Sequence, residues 1–302
     1  MLRSMSTPTA HALIFDEHLG PEARAVLEVT GADTERFLQG LLSADVRELE
    51  GSAALPATLL TAKGRIVSEL IVVANDDGGF ALIVPASRSE AVFEDLERHV
   101  IMDDVSLRAR PELRVALLWG EGDEEPALDA GVLARRTTHP GPGRVLIGAQ
   151  AAIDRALSTA HRASAAQWAA YRVATASPAW GHELAVDRFP PEVGFVAAVS
   201  YDKGCYRGQE PLARIHARGQ VNWVMVRVEA AGGEMAVPVD LSAESRDKAG
   251  QLTTFAAGGD APAGLAIVHR SLAQAGTVLT GAGVQFTVQT GPLGDDLGLR
   301  SN

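Results

Sequence analysis

The sequence contains a single cysteine, Cys205, among its 302 residues. One cysteine excludes a disulfide framework within the chain. It also cannot hold by itself an iron–sulfur cluster of the common kinds, because these need four ligands, mostly thiolates. Paired-cysteine and His-Glu-x-x-His spacings are missing too, so we expect no metal site. The scarcity of cysteine favours a reducing compartment, and the expected location is the cytoplasm.

Long apolar runs are missing as well, since no stretch approaches the ~18 apolar residues of a membrane helix. Residues 1–10 are polar and lack the apolar run of a signal peptide. The last residues, 294–302, are expected to fray. The sequence therefore predicts no membrane partner.

The motifs of several enzyme classes are absent. The chain has no Gly-x-Gly-x-x-Gly after a strand, no P-loop and no Gly-x-Ser-x-Gly elbow, which leaves no support for a dinucleotide, nucleotide or hydrolase site. A net charge of −11 argues against broad binding to nucleic acid, which requires a basic surface. We therefore expect no direct nucleic-acid partner.

The chain length suggests two or three domains, each of mixed α+β or all-β type. Ser87 with Glu90, and Ser164 with Gln167, form capping-box patterns that predict two helix starts. A short helix is predicted over 209–217, with Gly219 as its stop. From Val221 onward β patterns dominate and predict a small barrel or sandwich. The predicted strands are 23–29, 57–61, 65–74, 80–84, 113–118, 144–147, 221–228, 250–255, 263–268, 278–279 and 284–288.

Residues 202–218 form a cationic island in this acidic chain, with a net charge of +2. Cys205 lies in the island beside Lys203 and Arg207, and neighbouring positive charge favours thiolate over thiol. Gly204 and Gly208 flank the cysteine and suit a close approach of backbone to another group. The pattern indicates a functional cysteine rather than a buried apolar one.

The run Lys203-Gly204-Cys205-Tyr206-Arg207-Gly208-Gln209-Glu210 resembles the Lys-Gly-Cys-Tyr-x-Gly-Gln-Glu signature of the YgfZ family of folate-binding proteins. These are relatives of the aminomethyltransferase, or T-protein, of the glycine cleavage system. Residues 60–65 are similar to the family's Leu-Thr-x-Lys-Gly-Arg hairpin, and residues 249–254 to its Val-Gly-x-x-Thr-Ser strand. The resemblance covers most of the chain and is weakest between about 110 and 165.

The resemblance implies an α+β fold in which three domains form a ring around a channel that holds tetrahydrofolate. It implies a central folate-binding region at 1–108 with 160–220, a small α+β domain at 109–159, and a C-terminal β-barrel at 221–302. It also implies an accessory role in assembling or maintaining iron–sulfur clusters, with cluster client or assembly proteins as partners. Radical enzymes that modify tRNA would depend on it, and no conventional turnover is expected.

One position departs from the family's relatives. Where aminomethyltransferases have a Leu-Glu-Ala-Gly run, residues 173–176 are Val-Ala-Thr-Ala, so Ala174 replaces the glutamate that grips the pterin. A carboxylate can accept two hydrogen bonds from the pterin edge, and Glu192 and Glu183 are the remaining candidates. Either Arg65 or Arg207 is expected to meet the anionic glutamyl tail.

The signature residues receive roles from their chemistry. Cys205 and Lys203 are the predicted catalytic pair, with the lysine favouring the thiolate, and Tyr206 is predicted to stack on the folate ring or to pack. The two glycines permit a turn. Gln209, Glu210 and Arg214 are predicted to orient the loop from the following helix or to make capping and salt-bridge contacts.

Two alternatives remain open on the sequence. The first is a tetrahydrofolate-dependent aminomethyltransferase or demethylase of the same fold, against which Ala174 counts. The second is an unrelated enzyme with a cysteine nucleophile and a histidine base such as His216. The second alternative predicts labelling of Cys205 by substrate analogues and no response to folates.

Overall fold

A computed structural model of the protein describes residues 10–293, apart from 50, 52, 77, 121–130, 220, 259 and 260. The terminal residues 1–9 and 294–302, including those expected to fray, lie outside the described residues. The strands are β1 (His11–Ile14), β2 (Arg24–Thr30), β3 (Ala54–Leu60), β4 (Ile66–Ala74), β5 (Phe80–Pro85), β6 (Ser106–Ala109), β7 (Leu113–Trp119), β8 (Val132–Thr137), β9 (Gly143–Ala149), β10 (His161–Arg162), β11 (Trp223–Ala230), β12 (Val239–Ala243), β13 (Arg246–Ala256), β14 (Ala263–His269), β15 (Val278–Gly281) and β16 (Val284–Thr290). The helices are α1 (Thr34–Leu41), α2 (Ser89–Glu97), α3 (Gln150–Ala156), α4 (Ala165–Thr175) and α5 (Gln209–Arg218).

The first sheet is antiparallel and has the order β3-β4-β5-β2-β6. Side chains alternate between its two faces. Leu27 and Val29 pack on one face with residues of α1 and α2, whereas Val26 points to the other face. Both faces are covered, which explains why the strands read as nearly continuous apolar runs.

The second sheet has the order β10-β1-β7-β9-β8. Strand β1 enters this sheet from the start of the chain and lies between β7, to which it is antiparallel, and β10, to which it is parallel. One face is covered by Ile153 of α3 and by Leu157. The other face packs against the first sheet around Phe15 and Trp168.

The third unit is a closed barrel with the strand order β11-β14-β13-β12-β15-β16. All its pairs are antiparallel, and Phe286, Leu252 and Val226 lie in its buried interior. The predicted α+β class and the C-terminal β-barrel are confirmed. Strand β12 of the barrel, and β1, β6, β8 and β10 of the two sheets, were not among the predicted strands. The division into domains stays a prediction.

One of the two capping-box predictions is confirmed, and the other is wrong. Ser164 accepts from the backbone N–H of Gln167 and completes the predicted box at α4. The box predicted for Ser87 is wrong, because Ala86–Arg88 form a 3-10 turn and α2 begins at Ser89. Among the described residues no helix is both long and apolar enough to cross a membrane.

Candidate functional site

Residues 202–208, called the signature turn below, connect a 3-10 turn to α5. Cys205 is exposed. A Cβ atom added at the neighbouring Gly204 would meet no atom within 4 Å, so the turn is open at that position too. The structure therefore presents the cysteine at the surface rather than in a core.

Lys203 points the other way. Its side chain enters the protein, where Nζ donates to the carbonyl oxygens of Leu42 at 2.9 Å and of Ala44 at 2.6 Å. The residue is 7% exposed. Burial lowers the pKa of Lys203 to about 8; Arg47 also lowers it, while Asp45 opposes the shift. The lysine is thus committed to backbone carbonyls.

Tyr206 and Arg207 are also held by internal contacts. The Tyr206 hydroxyl donates to the Ser200 carbonyl at 3.1 Å, and burial raises the pKa of Tyr206. The Arg207 guanidinium forms a two-point ion pair with Asp95 of α2, with one N–O distance of 3.1 Å. Their predicted folate contacts stay predictions, and both side chains serve here to fasten the turn.

Gly208 and Gly64 explain why the turn needs glycine. Gly208 has φ +82°, and a Cβ atom there would lie 2.5 Å from the Thr61 carbonyl oxygen. Gly64 has φ +72°, and its Cβ would lie 3.1 Å from the Gly208 oxygen. The tip of the β3–β4 hairpin therefore packs directly on the signature turn, at a distance that side chains would prevent.

Helix α5 starts directly after the turn and ends at Gly219, as predicted, with Gly219 in the left-handed conformation. The Gln209 N–H donates to the Tyr206 carbonyl at 3.2 Å. Glu210 and Arg214 form an exposed ion pair one helical turn apart. These contacts are of the capping and salt-bridge kind that the sequence left open.

Glu183 is buried and fully engaged. One carboxylate oxygen accepts from the hydroxyls of Thr253 at 2.6 Å and Thr254 at 2.7 Å. The other accepts from Arg172 and from the Ala179 N–H. A pterin contact at Glu183 stays a prediction, and it would require one of these four donors to be displaced.

Glu192 and Arg65 lie together beside the hairpin tip. Glu192 accepts from the Phe189 N–H at 3.0 Å and lies 3.7 Å from the Arg65 guanidinium. Arg65 stacks over the Phe189 ring at 3.8 Å and donates to the Asp187 carbonyl. Glu192 has fewer recorded donors than Glu183 among the described residues, so it keeps more capacity for a ligand.

A buried ion-pair cluster was missed by the sequence reading. Glu69 of β4 accepts from Arg24 of β2 at 2.7 Å and contacts His139, which follows β8. All three side chains are at most 4% exposed. Burial alone would raise the pKa of Glu69, but Arg24 and His139 outweigh it and lower the pKa to about 2. A glutamate inside an apolar strand was the available signal.

A second polar group consists of Glu22, Arg172, His182 and Glu183. Glu22 accepts from the Trp168 indole N–H at 2.8 Å and lies 3.6 Å from Arg172, which pairs with Glu183. His182 approaches Glu22 at 3.2 Å. We call the triad of Arg24, Glu69 and His139 the buried polar centre.

A cavity of about 620 Å³ opens between the loop at 182–188 and the barrel. Glu183 and His182 of the second polar group line it, and Trp223 contributes an aromatic wall. The other charged lining residues are of both signs, with Arg188 and Lys248 basic and Asp240 and Asp247 acidic. A volume of about 300–1,000 Å³ is typical of small-molecule sites. Among the described residues no group of three or more His, Cys, Asp or Glu side chains is placed to hold a metal ion.

Comparisons with known proteins bear on this arrangement. The chain is 28% identical to the "tRNA-modifying protein YgfZ" of Klebsiella pneumoniae (strain 342), over 65% of this chain and 66% of that protein. It is 27% identical to the protein of the same name from Shigella boydii serotype 4 (strain Sb227), over 70% and 71%. The chain is a homologue of the YgfZ proteins. This confirms the resemblance that the signature predicted.

The fold has a solved counterpart. The glycine cleavage system aminomethyltransferase T from Bartonella henselae superimposes with a TM-score of 0.78, over 93% of this chain and 85% of that one. The two sequences are 17% identical, so the likeness concerns the fold alone. No protein-family model matches the chain. The matches to the two YgfZ proteins span about two thirds of their length.

Ala174 is placed on α4 with its side chain exposed. An alanine methyl group offers no acceptor to a pterin edge. A carboxylate contact, if one is made, must therefore come from another residue, and Glu192 and Glu183 remain the predicted candidates.

Proposed function

We propose that the protein is a cytoplasmic tetrahydrofolate-binding accessory protein for iron–sulfur cluster assembly or maintenance, and that it indirectly supports enzymes that modify tRNA. The names of the YgfZ homologues support a link to tRNA modification. The aminomethyltransferase-like fold supports a folate ligand. Iron–sulfur client or assembly proteins would be its partners.

The cavity of about 620 Å³ is the observation that carries the folate part of the proposal. A folate has a flat bicyclic ring, which suits stacking against Trp223. Its glutamyl tail is anionic and would be favoured near Arg188 and Lys248. The lining thus offers an aromatic wall and two cationic side chains, beside the acidic Glu183, Asp240 and Asp247.

The exposed thiol carries the partner part of the proposal. Cys205 lies on a rigidly held turn at the surface, where a second protein can reach it without entering the fold. A single cysteine cannot hold a common cluster alone, so it would act together with a sulfur or a cluster ligand of a partner.

Calorimetric titration with tetrahydrofolate under anaerobic conditions tests the folate site. We expect saturable binding by the intact protein, and at least about tenfold weaker binding by Trp223→Leu, since stacking on an aromatic ring contributes about 1–3 kcal/mol in related ligand systems. Lys63→Ser, at the exposed hairpin tip, is the matched surface control and should bind normally. Absence of binding by the intact protein would refute the folate proposal.

Glu192→Gln, titrated in the same series, tests the pterin clamp. Glu192 does not line the cavity, so weaker binding would move the pterin edge out of the cavity and toward this carboxylate. Binding equal to that of the intact protein would move the clamp to another residue and leave the cavity assignment in place.

Cellular rescue tests the cysteine. Cys205→Ala is expected to fold and to bind tetrahydrofolate, yet to fail to restore cluster-dependent enzymes in cells that lack the protein. Full rescue by this variant would remove the thiol from the mechanism, whatever the folate titrations show.

The alternative is a tetrahydrofolate-dependent aminomethyltransferase or demethylase. It predicts turnover of an aminomethyl or N-methyl donor with tetrahydrofolate as acceptor. Ala174 argues against it, because the expected carboxylate is missing at that position. Product formation in such an assay would favour the alternative over an accessory role.

A further inference from the structure

The C-terminal end of α1 is closed by residues from a distant part of the chain. The last carbonyls of a helix have no partner within it. Here residues 200–207 donate to four carbonyls, one at Gly40 in the last turn of α1 and three at 42, 43 and 44 in the segment that follows it. The donors are the Arg207 N–H to Gly40, Lys203 Nζ to Leu42 and Ala44, and the Ser200 N–H to Ser43.

Lys203 provides the only charged donor in this set. A cation is favourable at the negative C-terminal end of a helix, and the two carbonyl contacts replace the water that burial removes from the ammonium group. The Tyr206 ring, centred 5.0 Å from Nζ, covers the lysine further. The ammonium group thus faces α1 while Cys205 is exposed to solvent.

We propose that Lys203 is a positioning residue, which holds the signature turn on the end of α1 and so fixes where the Cys205 thiol is presented. The hydrogen bonds of Ser200 and Arg207 lie on either side of the cysteine and fasten both ends of the turn. The lysine acts through the backbone carbonyls of Leu42 and Ala44 and does not activate the thiol. This role does not depend on folate binding.

Lysine labelling of the intact protein is the first test. The sequence has three lysines, Lys63, Lys203 and Lys248, and Lys63 and Lys248 are exposed. Reductive methylation followed by peptide mass spectrometry should modify those two and leave Lys203 at least about tenfold slower, since its ammonium group is buried and bonded. Equal modification of all three would overturn the proposal, and no variant needs to fold.

Lys203→Met is the second test, with Lys63→Met as the matched loss of one charge. We expect amide hydrogen exchange at Ser200 and Arg207 to rise about tenfold or more in Lys203→Met only, because two charge-assisted bonds are lost. The rate at which iodoacetamide alkylates Cys205 should not fall. Unchanged exchange together with slower alkylation would show that the lysine acts on the thiol, and would overturn the proposal.

Cellular rescue separates positioning from stability alone. Lys203→Arg keeps a cation with several donors, so it should restore cluster-dependent enzymes better than Lys203→Met at equal protein level. Equal rescue by Lys203→Met and the unaltered protein would contradict a positioning role.

Discussion

In the signature turn, the basic residues Lys203 and Arg207 are close in sequence but bond to different parts of the fold. Lys203 donates to carbonyls that follow α1, and Arg207 pairs with Asp95 of α2. In the buried polar centre the arrangement is reversed. Arg24, Glu69 and His139 are far apart in sequence but bond to one another. The turn depends on the shape of the backbone around it, whereas the centre depends on balanced charge.

Substitutions in the two regions should lower the free energy of unfolding by different amounts. A buried charge that loses its charged partner keeps its full desolvation cost. A backbone turn that loses a hydrogen bond or gains a side chain suffers strain but leaves no unpaired charge. Variants of the centre should therefore cost more than variants of the turn, and the most exposed contacts should cost least.

Glu69→Gln is expected to have the largest effect. It leaves Arg24 buried without its carboxylate, and breaking such a pair costs about 3–5 kcal/mol. Urea denaturation gives the free energy of unfolding. The control is Glu28→Gln, which removes the partly exposed ion pair with Arg110 on the edge of the same sheet and should cost about 1 kcal/mol or less. Equal losses of unfolding free energy in Glu69→Gln and Glu28→Gln would contradict the expected cost of leaving Arg24 unpaired.

The same carboxylate should shape stability in acid. The pKa of Glu69 is lowered to about 2 from an ordinary value of 4.5, so the unfolded chain takes up this proton first as the pH falls. The stability from Glu69 is complete above pH 4.5 and is lost as the pH falls toward 2. The difference in unfolding free energy between the intact protein and Glu69→Gln should shrink over this window. A constant difference would contradict the assignment.

Gly208→Ala should cost less than the loss of Glu69. The left-handed conformation alone costs a residue with a side chain roughly 1–2 kcal/mol, and the 2.5 Å approach to the Thr61 carbonyl oxygen adds to it. Gly204→Ala is the matched control in the same turn and should be nearly neutral, because its Cβ would meet no atom within 4 Å. Thermal unfolding of both variants measures the loss of stability in each. A larger loss in Gly204→Ala than in Gly208→Ala would contradict this prediction.

Lys203 should produce a smaller effect with the same pH sign as Glu69, but in the alkaline range. Burial lowers its pKa to about 8 from an ordinary value of 10.5, so between these values the unfolded chain holds more protons than the folded one. The contribution of Lys203 to the unfolding free energy should therefore rise as the pH increases from about 8 to 10.5. Lys203→Met should lack this rise when unfolding is followed against pH.

Glu210→Gln is expected to have the smallest effect. The Glu210–Arg214 pair is exposed on α5, and such pairs contribute about 0.5 kcal/mol or less. A measurable loss of stability that persists in 0.5 M salt, about the range where exposed pairs are screened, would show that this pair does more than its exposure suggests.

The contiguous features were predictable from the sequence, and the dispersed ones were not. The signature, the hairpin before Ile66, the helix after Gly208 and every barrel strand except β12 follow local rules of turns, caps and alternation. The direction of the Lys203 side chain could not be predicted, because it depends on carbonyls some 160 positions away. The triad of Arg24, Glu69 and His139 likewise exists only once the two sheets are packed together.

The pairing of β1 imposes an order on folding during synthesis. Residues 11–14 are made before the other described strands, yet their partners are β7, at 113–119, and β10, at 161–162. The first sheet, by contrast, is complete once residue 109 is available. On the ribosome, where chains grow from the N-terminus at about 5–20 residues per second, the first sheet can assemble while β1 still waits for its partners. Strand β1 is thus made early but is among the last of the described strands to pair.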